Sequence, residues 1–180
     1  MTKAVFLDRD GVINKAYIVE EVPNPPRNVN EVEILPGVVE AIKKLQIAGY
    51  ELIVVTNQPD VARGRLTKNT VELIHNHLRN ETGILNFYTC FHDNQDACPC
   101  RKPKPGLIYR AAKDFRLTLN SSFMVGDRWS DIEAGYTAGC RCFLIDYQYA
   151  NNSTQFPHHR VASLLEAVDI ILEDKYESLN

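Results

Sequence analysis

The sequence predicts an α/β fold: a doubly wound, mostly parallel sheet of five to six strands, Rossmann-like, within one domain spanning residues 1–180. Short apolar runs alternate with segments of helical periodicity along most of the chain. Such a βαβα series builds a parallel sheet with helices on both faces and right-handed crossovers. A length of 180 residues, 44% of them hydrophobic, is enough for one core of ordinary size.

The predicted strands are short and are bounded by turn residues or charge. They cover residues 4–7, 51–55, 87–91, 123–125 and 141–145. The predicted helices cover residues 37–48, 68–81, 105–115, 129–138 and 161–174, with Thr67 as a possible N-cap and 151–159 as a loop. Two long loops interrupt this rhythm, the proline-containing segment 14–35 and the cysteine-rich segment 90–105. Loops of this length in a compact domain usually carry function.

The charge balance excludes two classes of partner. Twenty Lys and Arg residues stand against 23 Asp and Glu residues, a formal net charge of -3. This balance provides no general attraction for nucleic acid or for an anionic membrane surface. No apolar run approaches the roughly 18 residues of a membrane span, and charge comes too early for a signal peptide. We therefore expect a cytoplasmic monomer that acts on a small molecule.

Polar residues follow the predicted strands at their carboxyl ends, where open α/β sheets bind ligands. Asp8 and Asp10 follow the first strand, Thr56 the second and Asp127 the fourth, and Lys102 lies in the loop after the third. Three carboxylates are suitable ligands for Mg²⁺, and a hydroxyl with a fixed positive charge suits phosphoryl oxygens. Each residue alone is commonly a turn former or a solvated charge, so the prediction of phosphoryl transfer depends on their convergence.

The segment 90–100 contains a cluster of soft and borderline metal ligands. Cys90 and His92 are followed by Cys98 and Cys100, four ligands within eleven residues. Three thiols and an imidazole in a polar loop predict a closed, tetrahedral and therefore structural Zn²⁺ site. The last ligand directly precedes Arg101 and Lys102, so the predicted task of the zinc loop is to hold that pair beside the phosphate.

Four segments resemble the four motifs of the haloacid-dehalogenase superfamily phosphatases, in the family's order and over nearly the whole chain. They are Asp8-Arg9-Asp10-Gly11-Val12-Ile13-Asn14, Thr56-Asn57-Gln58, Arg101-Lys102-Pro103 and Gly126-Asp127-Arg128. The Cys-x-His and Cys-x-Cys-Arg-Lys-Pro pattern is similar to that of the zinc-containing branch. This resemblance implies the haloacid-dehalogenase core without a separate cap domain, because neither segment 14–35 nor the interval after Thr56 is long enough for one.

The resemblance also implies catalytic roles. Asp8 would be the nucleophile that forms an aspartyl-phosphate, and Asp10 would first donate and then accept a proton. Mg²⁺ would be bound by Asp8, Asp127 and the backbone carbonyl of Asp10. Thr56 and Lys102 would stabilise the transferring phosphoryl group. Asp131 remains open between capping its helix and touching the metal shell.

Substrate recognition would then depend on loops around an open site. Arginine suits planar anion recognition, so a second phosphate or a carboxylate could be bound there. The candidate substrate-binding residues are Asn57, Gln58, Arg63, Arg101 and Arg128.

Within the zinc-containing branch, the sequence favours a phosphorylated sugar, with removal of the 7-phosphate of D-glycero-D-manno-heptose 1,7-bisphosphate as the specific prediction. The stretches 61–64 and 103–106 resemble heptose bisphosphate phosphatases, whereas the short zinc loop is closer to histidinol-phosphate phosphatases, which stay the alternative. A phospho-acceptor receiver domain is a third possibility from another class. Its acceptor Asp would belong to a middle strand, however, and it has no need of a Cys₃His site. A zinc-centred protein-binding module is the last alternative, and its function would be unaffected by the substitution Asp8→Asn.

Overall fold

A computed structural model of the chain describes residues 2–150 and 152–177, with side chains up to residue 173. The described part contains eight strands: β1 (Ala4–Leu7), β2 (Tyr17–Val19), β3 (Val22–Asn24), β4 (Glu51–Asn57), β5 (Asn86–Cys90), β6 (Phe123–Gly126), β7 (Arg141–Ile145) and β8 (His159–Val161). Six of them form one sheet in the order β5-β4-β1-β6-β7-β8, and every neighbouring pair in it is parallel. The predicted doubly wound, mostly parallel sheet is confirmed.

Helices cover both faces of this sheet. The five are α1 (Val38–Ile47), α2 (Lys68–Thr82), α3 (Gly106–Phe115), α4 (Trp129–Ala138) and α5 (Leu164–Glu177). Helices α1, α2 and α5 pack on the face that carries Val5, Leu7 and Val54, and α3 and α4 pack on the opposite face. Because strands buried on both faces read as continuous apolar runs, β1 is apolar and fully buried from end to end.

The central position of β1 brings the predicted site residues together. It pairs with β4 on one side and β6 on the other, so the carboxyl ends of these three strands lie at one edge of the sheet. The backbone N–H of Asp8 extends the ladder by donating to the carbonyl of Val125 at 3.0 Å. Strand β4 runs two residues beyond its predicted end, because Thr56 and Asn57 still pair with Thr89 and Cys90 of β5.

Two details differ from the sequence prediction. The final helix begins at Leu164, not at Val161, because residues His159–Val161 pair in parallel with β7 as a sixth strand. The predicted loop 151–159 therefore ends one residue early, and its first residue lies outside the described part of the chain. The long segment 14–35, predicted as a loop with weak strand signals, contains the antiparallel hairpin of β2 and β3.

No helix within the described ranges is both long enough and apolar enough to cross a membrane.

Candidate active site

A cleft of about 440 Å³ opens at the carboxyl edge of the sheet. Asp8 and Asp10 both line it, whereas the side chain of Arg9 between them is fully buried. This is the alternation expected of side chains along an extended chain. Gly11 then turns the backbone away with a φ of 91°, and a Cβ at that position would collide with the Asp127 carboxylate. The glycine thus permits the first loop and the fourth motif to touch.

Lys102 is buried beneath the cleft with three acceptors around its ammonium group. Its Nζ lies 2.8 Å from Asp8 Oδ1, 2.7 Å from the carbonyl of Val55 and 2.6 Å from Asp131 Oδ1. Burial alone would lower the pKa of Lys102, but the carboxylates of Asp131 and Asp8 outweigh it and raise the pKa above its ordinary value. The lysine is therefore a fixed positive charge beside Asp8.

Asp8 is subject to opposing influences. Burial raises its pKa most strongly, Lys102 lowers it, and the nearby carboxylates raise it again, which leaves the pKa at about 6. An anionic nucleophile in this position consequently depends on cations beside it.

Asn57 holds the Lys102 backbone in place. Its side-chain amide donates to the carbonyl of Lys102 at 3.0 Å and accepts from the Lys102 N–H at 3.1 Å. Asn57 lines the cleft, yet the nitrogen and the oxygen of its side-chain amide both hydrogen-bond to the Lys102 backbone. The structure thus gives Asn57 a supporting role, and its contact with substrate stays a prediction.

Asp10 is oriented by donors on every side. Its Oδ1 accepts from Arg9 Nε at 3.1 Å and Asn14 Nδ2 at 2.9 Å, and its Oδ2 accepts from Arg9 Nη2 at 2.9 Å and Gln58 Nε2 at 2.8 Å. Gln58 also donates to the Thr56 hydroxyl at 2.9 Å. Gln58 is fully buried and the structure places it behind Asp10, so its contact with substrate stays a prediction.

The carboxylates of Asp8, Asp127 and Asp131 form an acidic cluster with ligand atoms within 4.8 Å of one another. Both oxygens of Asp127 are buried without a hydrogen-bond partner among the described residues, and burial with the charges of Asp8 and Asp131 raises its pKa well above the ordinary value. Buried unpaired carboxylates are costly, so this donor set fits a hard divalent cation such as Mg²⁺. The Asp10 carboxylate lies outside this cluster, so the predicted metal contact of Asp10 is left to its backbone carbonyl. Asp131, by contrast, is a member of the cluster.

Asn152 supports the fourth motif from the segment after β7. Its amide donates to the carbonyl of Asp127 at 2.8 Å and accepts from the N–H of Trp129, the first residue of α4, at 2.8 Å. Sequence reasoning missed Asn152, because nothing in a polar loop distinguishes this asparagine from a solvated one.

The predicted zinc ligands come together in the loop after β5. The Sγ atoms of Cys90, Cys98 and Cys100 lie 3.2–3.6 Å apart, and His92 Nδ1 is 3.5 Å from Cys90 and 3.3 Å from Cys100. A tetrahedral site with Zn–S bonds of about 2.3 Å requires ligand separations of about 3.8 Å. The four side chains therefore fit Zn²⁺ with small adjustments.

Arg63, Arg101 and Arg128 line the cleft. Arg101 and Arg128 hydrogen-bond to neutral acceptors, whereas Arg63 pairs with a carboxylate. Arg101 donates to Asn94 Oδ1 at 2.8 Å, and Arg128 donates to the carbonyl of Pro23 at 2.6 Å. Arg63 instead makes a bidentate ion pair with Asp93, at 2.6 and 2.7 Å, which lowers the pKa of Asp93 to about 2. The charge of Arg63 is thus already compensated and the ion pair links two loops, while its contact with substrate stays a prediction.

We expect Cys98→Ser to lower the zinc content of purified protein well below one ion per chain, because a serine hydroxyl is a poor replacement for a thiolate ligand. Loss of the zinc loop should also loosen Lys102, which follows the cluster, and reduce turnover. Metal analysis by mass spectrometry checks the first effect. Cys140→Ser, at a buried thiol outside the cluster, is the matched control and should retain the ion. Equal zinc in the Cys98→Ser variant would contradict the ligand assignment.

Comparisons with known proteins agree with this geometry. A family model described as HAD-hydrolase-like matches residues 99–167. The D-glycero-alpha-D-manno-heptose-1,7-bisphosphate 7-phosphatase of Photorhabdus laumondii is 38% identical, over 79% of this chain and 82% of the relative. The D-glycero-beta-D-manno-heptose-1,7-bisphosphate 7-phosphatase of Helicobacter pylori is 35% identical, over 94% of this chain and 97% of the relative.

Solved structures point the same way. The D,D-heptose 1,7-bisphosphate phosphatase of B. bronchiseptica, solved with magnesium and phosphate, is similar with a TM-score of 0.82 and 28% identity, over 96% of this chain and 99% of that one. Its counterpart from Burkholderia thailandensis gives a TM-score of 0.68 at 25% identity, over 95% and 99% of the two chains. Fold, site and sequence together make this chain a haloacid-dehalogenase superfamily phosphatase that belongs to the family of heptose 1,7-bisphosphate 7-phosphatases.

Proposed function

We propose that this protein removes the 7-phosphate of D-glycero-D-manno-heptose 1,7-bisphosphate through an aspartyl-phosphate on Asp8, with Mg²⁺ bound at Asp8, Asp127 and the backbone carbonyl of Asp10. The single observation that carries the catalytic part is the convergence at one sheet edge of the Asp8 carboxylate, the Lys102 ammonium and the unpartnered Asp127 carboxylate. Three separate strands or loops deliver these groups, and phosphoryl transfer needs all three.

In the first step a carboxylate oxygen of Asp8 attacks phosphorus in line with the leaving oxygen. The bond between phosphorus and that sugar oxygen breaks, and Asp10 donates a proton to the departing alkoxide. Lys102 and the Thr56 hydroxyl balance charge on the equatorial oxygens. The hydrogen bond from Gln58 to Thr56 Oγ1 leaves the Thr56 proton available for a phosphoryl oxygen.

In the second step water attacks the phosphorus of the aspartyl-phosphate. Asp10, now a carboxylate, accepts a proton from that water, and the bond between phosphorus and Asp8 breaks to release inorganic phosphate. Arg9, Asn14 and Gln58 orient Asp10 as a carboxylate by donating to both of its oxygens, and the acid form used in the first step requires one of these donors to withdraw.

Two metals complete the proposal. Bound Mg²⁺ would neutralise charge between the Asp8 carboxylate and the incoming phosphoryl group. Asp131 supports that site from behind, since it is paired with Lys102 and accepts from the Arg128 N–H at 3.0 Å. A Zn²⁺ ion at Cys90, His92, Cys98 and Cys100 would fix the loop that leads into Lys102.

The substrate assignment is supported by the names of the relatives and by the cleft itself. The relatives from Photorhabdus laumondii and Helicobacter pylori carry different anomeric designations, so the proposal covers both anomers. Arg101 and Arg128 offer positive charge on the cleft wall, as a second phosphate would require. Histidinol phosphate has a single phosphate and a cationic amine, which two such arginines disfavour.

Phosphate release should be measured with Mg²⁺ across both anomers of the heptose 1,7-bisphosphate, heptose 7-phosphate, hexose bisphosphates and histidinol phosphate. The proposal predicts the highest kcat/KM for a heptose bisphosphate, with loss of the 7-phosphate. A preference for histidinol phosphate would transfer the assignment to the alternative. One stoichiometric phosphorylation without turnover would instead indicate a receiver domain.

Replacement of Arg101 by Gln should raise KM for the heptose bisphosphate about 10-fold or more, because a charged hydrogen bond to the second phosphate is lost. The same variant should change KM for the 7-monophosphate little, since that substrate has nothing for Arg101 to bind. Steady-state kinetics on the two substrates provide the comparison. Arg110→Gln, on the outer face of α3, serves as the control. Equal effects on both substrates would remove Arg101 from the second phosphate.

A further inference from the structure

Arg9 is a buried cation that the catalytic steps do not use directly. Its guanidinium holds both oxygens of Asp10, through Nε at 3.1 Å and Nη2 at 2.9 Å. No part of Arg9 is exposed, in contrast to the arginines that line the cleft. The third nitrogen, Nη1, points away from Asp10 and lies 3.2 Å from Nε2 of His75 on helix α2.

The direction of this last hydrogen bond follows from the chemistry of the two groups. A guanidinium can only donate, so Nε2 of His75 must accept and the ring proton must be on Nδ1. That Nδ1 lies 3.6 Å from the carboxylate of Glu72. The ring itself stacks on Phe87, with centroids 4.6 Å apart and an angle of 28°. His75 is thus fixed as a neutral acceptor facing Arg9.

The electrostatic environment supports a neutral ring. Burial, followed by the positive charges of Arg9 and Arg79, lowers the pKa of His75 to about 3. A protonated ring would present a donor to Arg9 and break the hydrogen bond, so the surroundings of His75 maintain the acceptor.

We propose that His75 is a positioning residue for proton transfer: by accepting from Nη1, it fixes the rotation of the Arg9 guanidinium and thereby the orientation of the Asp10 carboxylate. This proposal rests on the proposed phosphatase function. Without the His75 acceptor, the Arg9 guanidinium can rotate about its side-chain bonds and lose one of its two hydrogen bonds to Asp10. Asn14 and Gln58 would still hold one oxygen each, so Asp10 would be displaced and not released.

Displacement of the general acid slows phosphoryl transfer more for substrates whose leaving group needs a proton than for those whose leaving group does not. A sugar alkoxide must be protonated as it leaves, whereas p-nitrophenolate leaves without that help. The constant kcat/KM reports only the steps up to the first irreversible one, here the transfer of phosphate to Asp8. A positioning role therefore predicts a loss of kcat/KM for the sugar phosphate that exceeds the loss for p-nitrophenyl phosphate.

The test uses two substitutions at one position in the full chain with Mg²⁺. His75→Phe retains the stacking on Phe87 but has no acceptor, and His75→Gln places an amide oxygen near the position of Nε2. We expect His75→Phe to lower kcat/KM for heptose 1,7-bisphosphate about 10- to 100-fold, with KM changed less than kcat. For p-nitrophenyl phosphate the same variant should lose less than about threefold, and His75→Gln should recover most of the activity towards the sugar, because its amide can accept from Arg9.

Thermal unfolding of both variants shows whether the fold is intact. If His75→Phe fails to fold, His75→Leu supplies the same test, since it also removes the acceptor for Arg9 Nη1. Wild-type activity in His75→Phe, equal losses on both substrates, or a His75→Gln variant as slow as His75→Phe would each overturn the positioning role. Wild-type protein that releases no phosphate from either compound would instead refute the proposed function.

Discussion

Asp8→Asn is expected to lower kcat by at least about 10⁴-fold while the protein stays folded. The substitution replaces one carboxylate oxygen by a neutral amide nitrogen at nearly constant volume, so the nucleophile is lost without a cavity. Lys102 would retain two of its three acceptors, the Val55 carbonyl and the Asp131 carboxylate. The buried lysine is therefore not left unpaired, which is the usual cause of collapse when one member of a buried ion pair is removed.

Phosphate release under saturating substrate, together with a thermal unfolding curve, measures this effect. Asp169→Asn is the matched control, because Asp169 is an exposed aspartate paired with Lys44 on the surface. That variant should retain full kcat. A kcat for Asp8→Asn within 10-fold of wild type would remove Asp8 from the nucleophilic role.

Asp127→Asn is expected to lower kcat about 10²- to 10³-fold and to weaken Mg²⁺ binding. The Asp127 carboxylate is fully buried, close to Asp8 and Asp131, and has no hydrogen-bond partner in the part of the chain that the structure describes. In the metal-free protein this carboxylate opposes folding, so its replacement by a neutral amide should leave the metal-free Tm unchanged or higher. The same residue that stabilises the complex with Mg²⁺ would thus destabilise the protein without it.

Calorimetry with and without Mg²⁺ separates these two contributions. At a Mg²⁺ concentration 100 times Kd, the wild-type Tm should rise by about 5–10 °C, from linkage and the usual unfolding entropy of a chain of this size. The Asp127→Asn variant should show little of that rise. If Mg²⁺ stabilised both proteins equally, the ion would have to bind outside the acidic cluster.

Much of the fold was predictable because its strands are short apolar runs separated by clear helical patterns. Strands β1 and β7 and helix α4 have the predicted bounds. The sixth strand was not identified, since His159 and Arg160 are exposed and only Val161 is buried, so a three-residue edge strand carries no apolar run. Its pairing with β7 is a tertiary effect that periodicity does not report.

The sequence indicated which residues belong to the candidate site, but it did not indicate which partners their side chains contact. Asp8 and Asp127 meet because they follow the adjacent parallel strands β1 and β6, and Lys102 reaches Asp8 from the loop after β5. Gln58 is a predicted substrate-binding residue, and nothing in the sequence indicated that its side-chain amide donates to Asp10. His75 carried no signal, since a helical histidine acquires its partner only when α2 packs beside β1.

The covalent intermediate is the central claim, and trapping it tests that claim most directly. The enzyme should be mixed with heptose bisphosphate and Mg²⁺, quenched in acid within the first turnover and reduced with borohydride, which converts an aspartyl-phosphate to homoserine. Peptide mapping should then find homoserine at position 8. Modification at position 10, or full phosphate release with an unmodified Asp8 at every quench time, would contradict the account.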